Sequence, residues 1–231
     1  MTTATKTYGY RDLRPLMSRL TGDEKHDSAA TSTLDVLWVL YDRVLRVSPA
    51  KIDAPDRDRF LLSKGHGPTG YYAVLAAKGF LPLDALTGFA QFDSPLGHHP
   101  DRVLVPGVEI SSGSLGHGLP IAVGMALGLR ARGHAGPRVV VLVGDGELDE
   151  GSNWEAVAYV GRVGLDALTV AVVDNGTATH CWPGGFGPRF AQEGWRAAAV
   201  DGRDHVALER AFIRPPDGRP QVVVAQVGPG E

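Results

Sequence analysis

The stretch from Val139 to Asn175 opens V-V-V-L-V-G-D-G-E-L-D-E-G-S-N-W-E-A (139–156) and closes L-T-V-A-V-V-D-N (168–175). The β-branched run Val139 to Val143 has the continuous apolar character of a strand buried on both faces. It stops at Gly144-Asp145-Gly146, where two glycines bracket a carboxylate. Gly151 to Val163 reads as a helix and Leu168 to Val173 as the next buried strand, which Asp174-Asn175-Gly176 closes with a turn. The unit is β-α-β, with an oxygen ligand at the carboxyl end of each strand. In open α/β sheets those ends face the ligand crevice.

Such an arrangement suits a divalent cation that holds a diphosphate. Mg²⁺ takes near-octahedral oxygens from few protein groups and fills its other positions with phosphate and water. Asp145 offers a carboxylate, Asn175 an amide oxygen, and Thr177 a backbone carbonyl just past the turn. Gly146 lets a diphosphate approach the backbone, whose N–H groups near a helix start favour anions. Either turn alone is an ordinary polar connection between core strands. The two together, on consecutive strand ends, point to a metal–diphosphate site.

Working outward, the remaining segments support a layered α/β domain. Thr33 to Val47 has apolar residues at helical spacing, with Thr33 as a candidate N-cap. Tyr71 to Phe80 and Leu86 to Phe92 read as two further helices. A glycine-rich loop from Gly113 opens a helix that runs to about Arg132. Beyond the central unit, Ala197 to Val200, His205 to Ile213 and Gln221 to Gln226 add strand, helix and strand. The alternation predicts a parallel sheet with helices on both faces, and residues 1–231 read as a single domain.

Composition narrows the class. The 231 residues are 43% hydrophobic and 21% charged with a net charge of −3, so no basic surface invites nucleic acid. No run reaches the length of a membrane span, and the first ten residues lack a signal-peptide core. The single cysteine, Cys181, excludes an internal disulfide and a cysteine zinc cluster, and a cytoplasmic setting is expected. Histidines stand in several polar loops: His26 in D-E-K-H-D, His66 in L-L-S-K-G-H-G and His99 in G-H-H-P-D. Loop histidines are commonly solvated, but they also donate to phosphate or substrate hydroxyls and move protons near neutral pH.

G-D-G-E-L-D-E-G-S-N-W-E-A followed by V-V-D-N-G resembles the thiamine diphosphate motif of transketolases. The resemblance continues through Asp58 to His66, Leu96 to Pro100, Gly107 to Gly118, Gly194-Trp195 and Asp201 to Asp204, spanning about His26 to Gln226. It implies that Asp145, Asn175 and the Thr177 carbonyl hold Mg²⁺ or Ca²⁺. Gly146, Asn175, His66, Gly113, Ser114 and Leu115 would contact thiamine diphosphate, while His26 and His99 would face a sugar-like substrate. His26 precedes Asp35 by nine residues, as the family's first substrate histidine precedes its helix aspartate. The implied activity is transfer of a two-carbon ketol unit to an aldehyde.

Departures from the family pattern cluster on the substrate side. Lys25-His26-Asp27-Ser28 replaces Gly-His-Pro-Gly, His98 replaces the glycine before His99, and Thr177 to Trp182 is unusual. The sequence also stops before the family's pyrimidine-binding and third domains. A split transketolase is therefore expected, whose partner subunit supplies the pyrimidine-binding domain and the activating glutamate in an α2β2 assembly. By the same resemblance Glu147 to Glu150 and the small-residue helix after Gly118 would lie near the domain–domain surface, with Glu150 on a dimer-interface glutamate. Other readings are an α-like subunit of a 2-oxo acid dehydrogenase, a deoxyxylulose phosphate synthase, or a catalytically silent regulatory or scaffolding subunit. Ser63-Lys64-Gly65-His66 favours transketolase over the first, length disfavours the second, and the retained Asp145 and Asn175 argue against the third.

Overall fold

The computed structural model describes residues 7–22, 27–180, 182–213, 215 and 217–228. Five strands, β1 (Arg59–Leu62), β2 (Val139–Gly144), β3 (Leu168–Asp174), β4 (Arg196–Asp201) and β5 (Gln221–Gln226), form one sheet in the order β1-β2-β3-β5-β4. Every pairing is parallel, with Val139 opposite Arg59 on one side and Leu168 on the other. All five carboxyl ends therefore lie along one edge of the sheet.

Alternate strand residues point to opposite faces. Phe60, Leu62, Val140, Leu142, Ala171, Val173, Val223 and Ala225 join one core with α1 (Leu13–Met17), α2 (Asp27–Val39), α3 (Thr69–Ala77) and α7 (His205–Phe212). Leu61, Val141, Val143, Val170, Val172, Val222 and Val224 join the other, with α4 (Gly118–Ala131), α5 (Gly151–Val163) and α6 (Phe186–Gln192). The parallel sheet expected from the sequence thus has helices on both faces. Among the described residues, no helix is long and apolar enough to cross a membrane.

Several boundaries move for local reasons. α2 begins at Asp27, ends at Val39 and continues as a π-helical turn over Leu40–Val44. Thr33 is therefore not an N-cap: its hydroxyl donates back to the Ala29 and Ala30 carbonyls at 3.3 and 3.0 Å, the mid-helix habit of threonine. Leu83–Gly88 forms a short 3₁₀ helix in place of the one expected over 86–92, and Ala90 at φ +60° cannot continue it. α4 starts at Gly118, since Gly113 at φ +146° and Gly116 at φ +82° keep the preceding loop out of helix. α5 ends where expected, at the left-handed Gly164. The side chain of Asp204 caps α7 by accepting from Val206 and Ala207 N–H at 2.9 and 3.0 Å.

The amino-terminal edge of the sheet is closed by Asp58, whose side chain is fully buried. Its two oxygens meet Arg46 Nη2 and Arg138 Nη2, each at 2.8 Å, and accept the backbone N–H groups of the same two residues. Burial works against the charged form, but the guanidinium and N–H donors outweigh it and bring the carboxyl down to about 2.

Candidate cofactor site

At the opposite edge, β2 delivers Asp145 and β3 delivers Asn175 and Thr177 to one point. Asp145 is buried, and Asp145 Oδ1 accepts from Gly146 N–H at 2.8 Å and lies 2.7 Å from Thr177 Oγ1. Asp145 Oδ2 accepts from the backbone N–H of Thr177 at 2.6 Å and of Ala178 at 3.2 Å. Thr177 Oγ1 is also 2.8 Å from Asn175 Oδ1. A Cβ placed on Gly146 would stand 3.6 Å from the Thr177 carbonyl, so that oxygen faces the same turn.

The donors here are one carboxylate, one amide oxygen and one carbonyl, all hard oxygens of the kind Mg²⁺ or Ca²⁺ takes, and they fit such an ion. Among the described residues, no three His, Cys, Asp or Glu side chains gather as a ligand group, so the mixed oxygen set is what the fold offers. Burial, and then the nearby Asp145 carboxylate, push the Asp174 carboxyl up.

A second group assembles beside it from the loops after β1 and before α4. A Cβ on Gly65 would stand 2.8 Å from Gly113 N, and one on Gly113 would stand 2.9 Å from His99 Cδ2. Gly65, Gly113 and the His99 ring are therefore stacked in close order, with half-buried His66 next in the chain. Ser114 is exposed and Leu115 half-buried on the same loop. His99 is exposed, and His98 packs its ring edge-on to Phe89 at 5.6 Å, turned to a structural neighbour. His26 lies outside the described residues.

Two charges whose burial the sequence did not disclose, Glu147 and Lys64, tie these groups together; Glu147, expected near the domain–domain surface, is buried within this chain. Glu147 accepts the Ser63 hydroxyl and the Gly116 N–H, the latter at 2.9 Å, and Ser63 Oγ in turn accepts Gly118 N–H at 3.0 Å. One carboxylate thus fastens the ends of β1 and β2 to the start of α4. Burial pushes its carboxyl up, against the opposing pull of those donors. Lys64 lies across Gly144 and donates from Nζ to the Ala29 carbonyl in the first turn of α2 at 2.8 Å. Burial draws its ammonium down to about 8, although the Asp145 and Glu147 carboxylates pull the other way. A carboxylate two residues past Asp145 was the available signal for Glu147, whereas Lys64 follows Ser63 after a short strand that the sequence does not disclose.

Asp149 also joins the strand ends, accepting from Thr179 N–H at 2.9 Å and His180 N–H at 3.3 Å. Asp35, by contrast, belongs to a tie separate from Asp145, Asn175 and Thr177. It is buried in α2 and holds Arg203 Nη1 at 2.6 Å and His205 Nε2 at 2.7 Å, fixing that helix to the turn after β4.

The family model described as "Transketolase, thiamine diphosphate binding domain" matches residues 21–226. Over 220 residues the chain is 56% identical to a Rhodococcoides fascians protein named "Ferredoxin fas2", covering 95% of this chain and 72% of that one. The present sequence has one cysteine, whereas iron–sulfur clusters of the ferredoxin kind take four. One of the subunits of apulose-4-phosphate transketolase from Actinobacillus succinogenes is 45% identical over 145 residues, with 63% of this chain and 52% of that protein covered. The chain thus spans about half the length of that relative. The structure of transketolase from Leishmania mexicana superposes with a TM-score of 0.77 at 25% identity, covering 96% of this chain and 37% of that one. The chain belongs to the transketolase family, as an amino-terminal thiamine diphosphate-binding domain of the split transketolase-like type.

Proposed function

We propose that this chain is the cofactor-binding subunit of a split, thiamine diphosphate-dependent ketol transferase, with residues 1–231 acting as one diphosphate- and metal-binding domain. The observation that carries the reading is the meeting of Asp145, Asn175 and Thr177 at the carboxyl ends of β2 and β3. Asp145, Asn175 and the Thr177 carbonyl hold Mg²⁺ or Ca²⁺, and Gly146 leaves room for the diphosphate. His66 and the loop Gly113-Ser114-Leu115 position the cofactor. Bound there, thiamine diphosphate supplies the carbanion chemistry and the electron sink for breaking a C–C bond. His99, and His26 from the segment before α2, hold substrate hydroxyls and carry protons to and from the substrate oxygens.

The partner is a second polypeptide that supplies the pyrimidine-binding domain and the activating glutamate, in an α2β2 assembly. Relatives named as transketolase subunits support this reading. The substrate is a ketose-type donor with an aldehyde acceptor.

The test is calorimetric titration of thiamine diphosphate into the chain with its partner, with and without magnesium, alongside a ketol-transfer assay. Magnesium-dependent binding and turnover by the pair, with none by the chain alone, are expected. Cofactor binding indifferent to chelation of magnesium would overturn the metal site. Robust turnover by the isolated chain would overturn the split-enzyme reading. Magnesium-dependent binding without transfer, across ketoses screened by mass spectrometry, would favour the silent subunit.

A further inference from the structure

We infer that Thr177 grips the divalent cation twice, through its side-chain hydroxyl as well as its carbonyl; the inference rests on the cation site proposed above. Thr177 Oγ1 stands between the other two ligands, 2.7 Å from Asp145 Oδ1 and 2.8 Å from Asn175 Oδ1. Adjacent corners of an octahedron around an ion at ~2.1 Å are ~3 Å apart, so the observed spacings lie close to those of neighbouring ligands.

Proton accounting points the same way. A threonine hydroxyl has one proton to give, and two acceptor oxygens face it here. Given to Asp145, that proton leaves Asn175 Oδ1 against an oxygen lone pair. An ion that draws lone pairs from all three oxygens removes the conflict without turning the amide.

The surroundings hold the hydroxyl where it is. Asp145 Oδ2 is taken by the N–H groups of Thr177 and Ala178, which fixes the backbone and leaves Oδ1 on the hydroxyl side. Asp149 secures the next two N–H groups along the chain. Thr177 is β-branched and stiff about χ1, so little freedom remains in its side chain. Its carbonyl and hydroxyl both face Gly146, at 3.6 and 3.7 Å from the position of a Cβ there. A hydroxyl ligand takes a coordination position that water fills otherwise. This is the use made of a serine or threonine on Mg²⁺ in phosphate-binding loops.

The experiment uses Mn²⁺ as a spectroscopic substitute for Mg²⁺, with thiamine diphosphate, in the complex of this chain and its partner. Affinity is read from the EPR signal of free Mn²⁺, and bound water is counted by line broadening in ¹⁷O-water. Thr177→Val keeps the shape and removes the hydroxyl; Thr177→Ser restores the hydroxyl. The valine variant is expected to bind Mn²⁺ on the order of tenfold more weakly and to gain one bound water, and the serine variant to reverse both. An unchanged water count overturns the inference. Tighter binding by the valine variant also overturns it, because the hydroxyl would then be an obstacle that the ion displaces. Wild-type complex that takes up no Mn²⁺ would fell the cation site itself, whereas bound Mn²⁺ with an unchanged water count fells only the hydroxyl.

Discussion

Two buried aspartates stand at opposite edges of the same sheet, and their surroundings differ in one respect. Asp58, at the amino-terminal edge, has two guanidinium partners. Asp145, at the carboxyl edge, has only neutral donors within hydrogen-bond distance among the described residues: three backbone N–H groups and a hydroxyl. Burying an uncompensated carboxylate is costly, so proteins pair such charges or give them to metals. The first edge completes its charge balance from within the chain. The second has its oxygens arranged by neutral donors, with the buried Lys64 ammonium near it but outside hydrogen-bond distance. The guanidinium partners stand at the amino-terminal edge, whereas Asp145 at the carboxyl edge keeps neutral hydrogen-bond donors, as the cation site proposed there would require.

The contrast can be broken most severely at Asp58. Asp58→Ala strands two arginines and is expected to cost about 3–5 kcal/mol of stability by chemical denaturation. Cofactor affinity of the fraction that folds should hold steady. Asp145→Ala should do the reverse: a loss of about 100-fold in magnesium-dependent cofactor affinity by calorimetry, or about 2.7 kcal/mol, with the smaller change in denaturation midpoint. If both variants lose stability alike, the two edges are not doing different work.

Acid sharpens the same point. Asp58 titrates at about 2 in the folded chain and near 3.8 when unfolded, so its contribution is complete above pH 4 and is lost as pH falls toward 2. That loss amounts to about 2 kcal/mol. Asp58→Asn should flatten this limb of the stability–pH curve. The smallest effect belongs to Arg46, whose side chain is 58% exposed. Arg46→Ala should cost ~1 kcal/mol or less, because Arg138 still faces Asp58. A larger loss would mean that the carboxylate needs both partners.

How far the sequence discloses this molecule depends on how local each interaction is. The β2-α5-β3 unit is legible because its apolar runs are bounded by glycine turns, and α5 spans Gly151–Val163 as read. β1 escapes notice: only four residues long, in a charged neighbourhood, it becomes a strand by pairing with β2. α6 is hidden by Gly187 and Pro188, poor helix residues. Pro188 falls in the first turn, where its missing N–H has no helical partner, and Phe190 stacks on Trp154 and Trp195 to seat the helix. In the site, Asp145, Asn175 and Thr177 were visible from strand ends alone. Lys64 and Glu147 were not, since their importance lies in being buried next to segments far away in sequence.

That separation has a consequence for the order in which the protein is made. Arg59 pairs with Val139, and Ser63 waits for Glu147, 84 residues downstream. At ordinary rates of synthesis about 4–17 seconds pass between the two, during which the apolar side chains of β1 have no strand to join. Thr177, the last of the three residues proposed to hold the cation, emerges later still. All three oxygens proposed to hold the cation are therefore present only after β1, β2 and β3 have been synthesised.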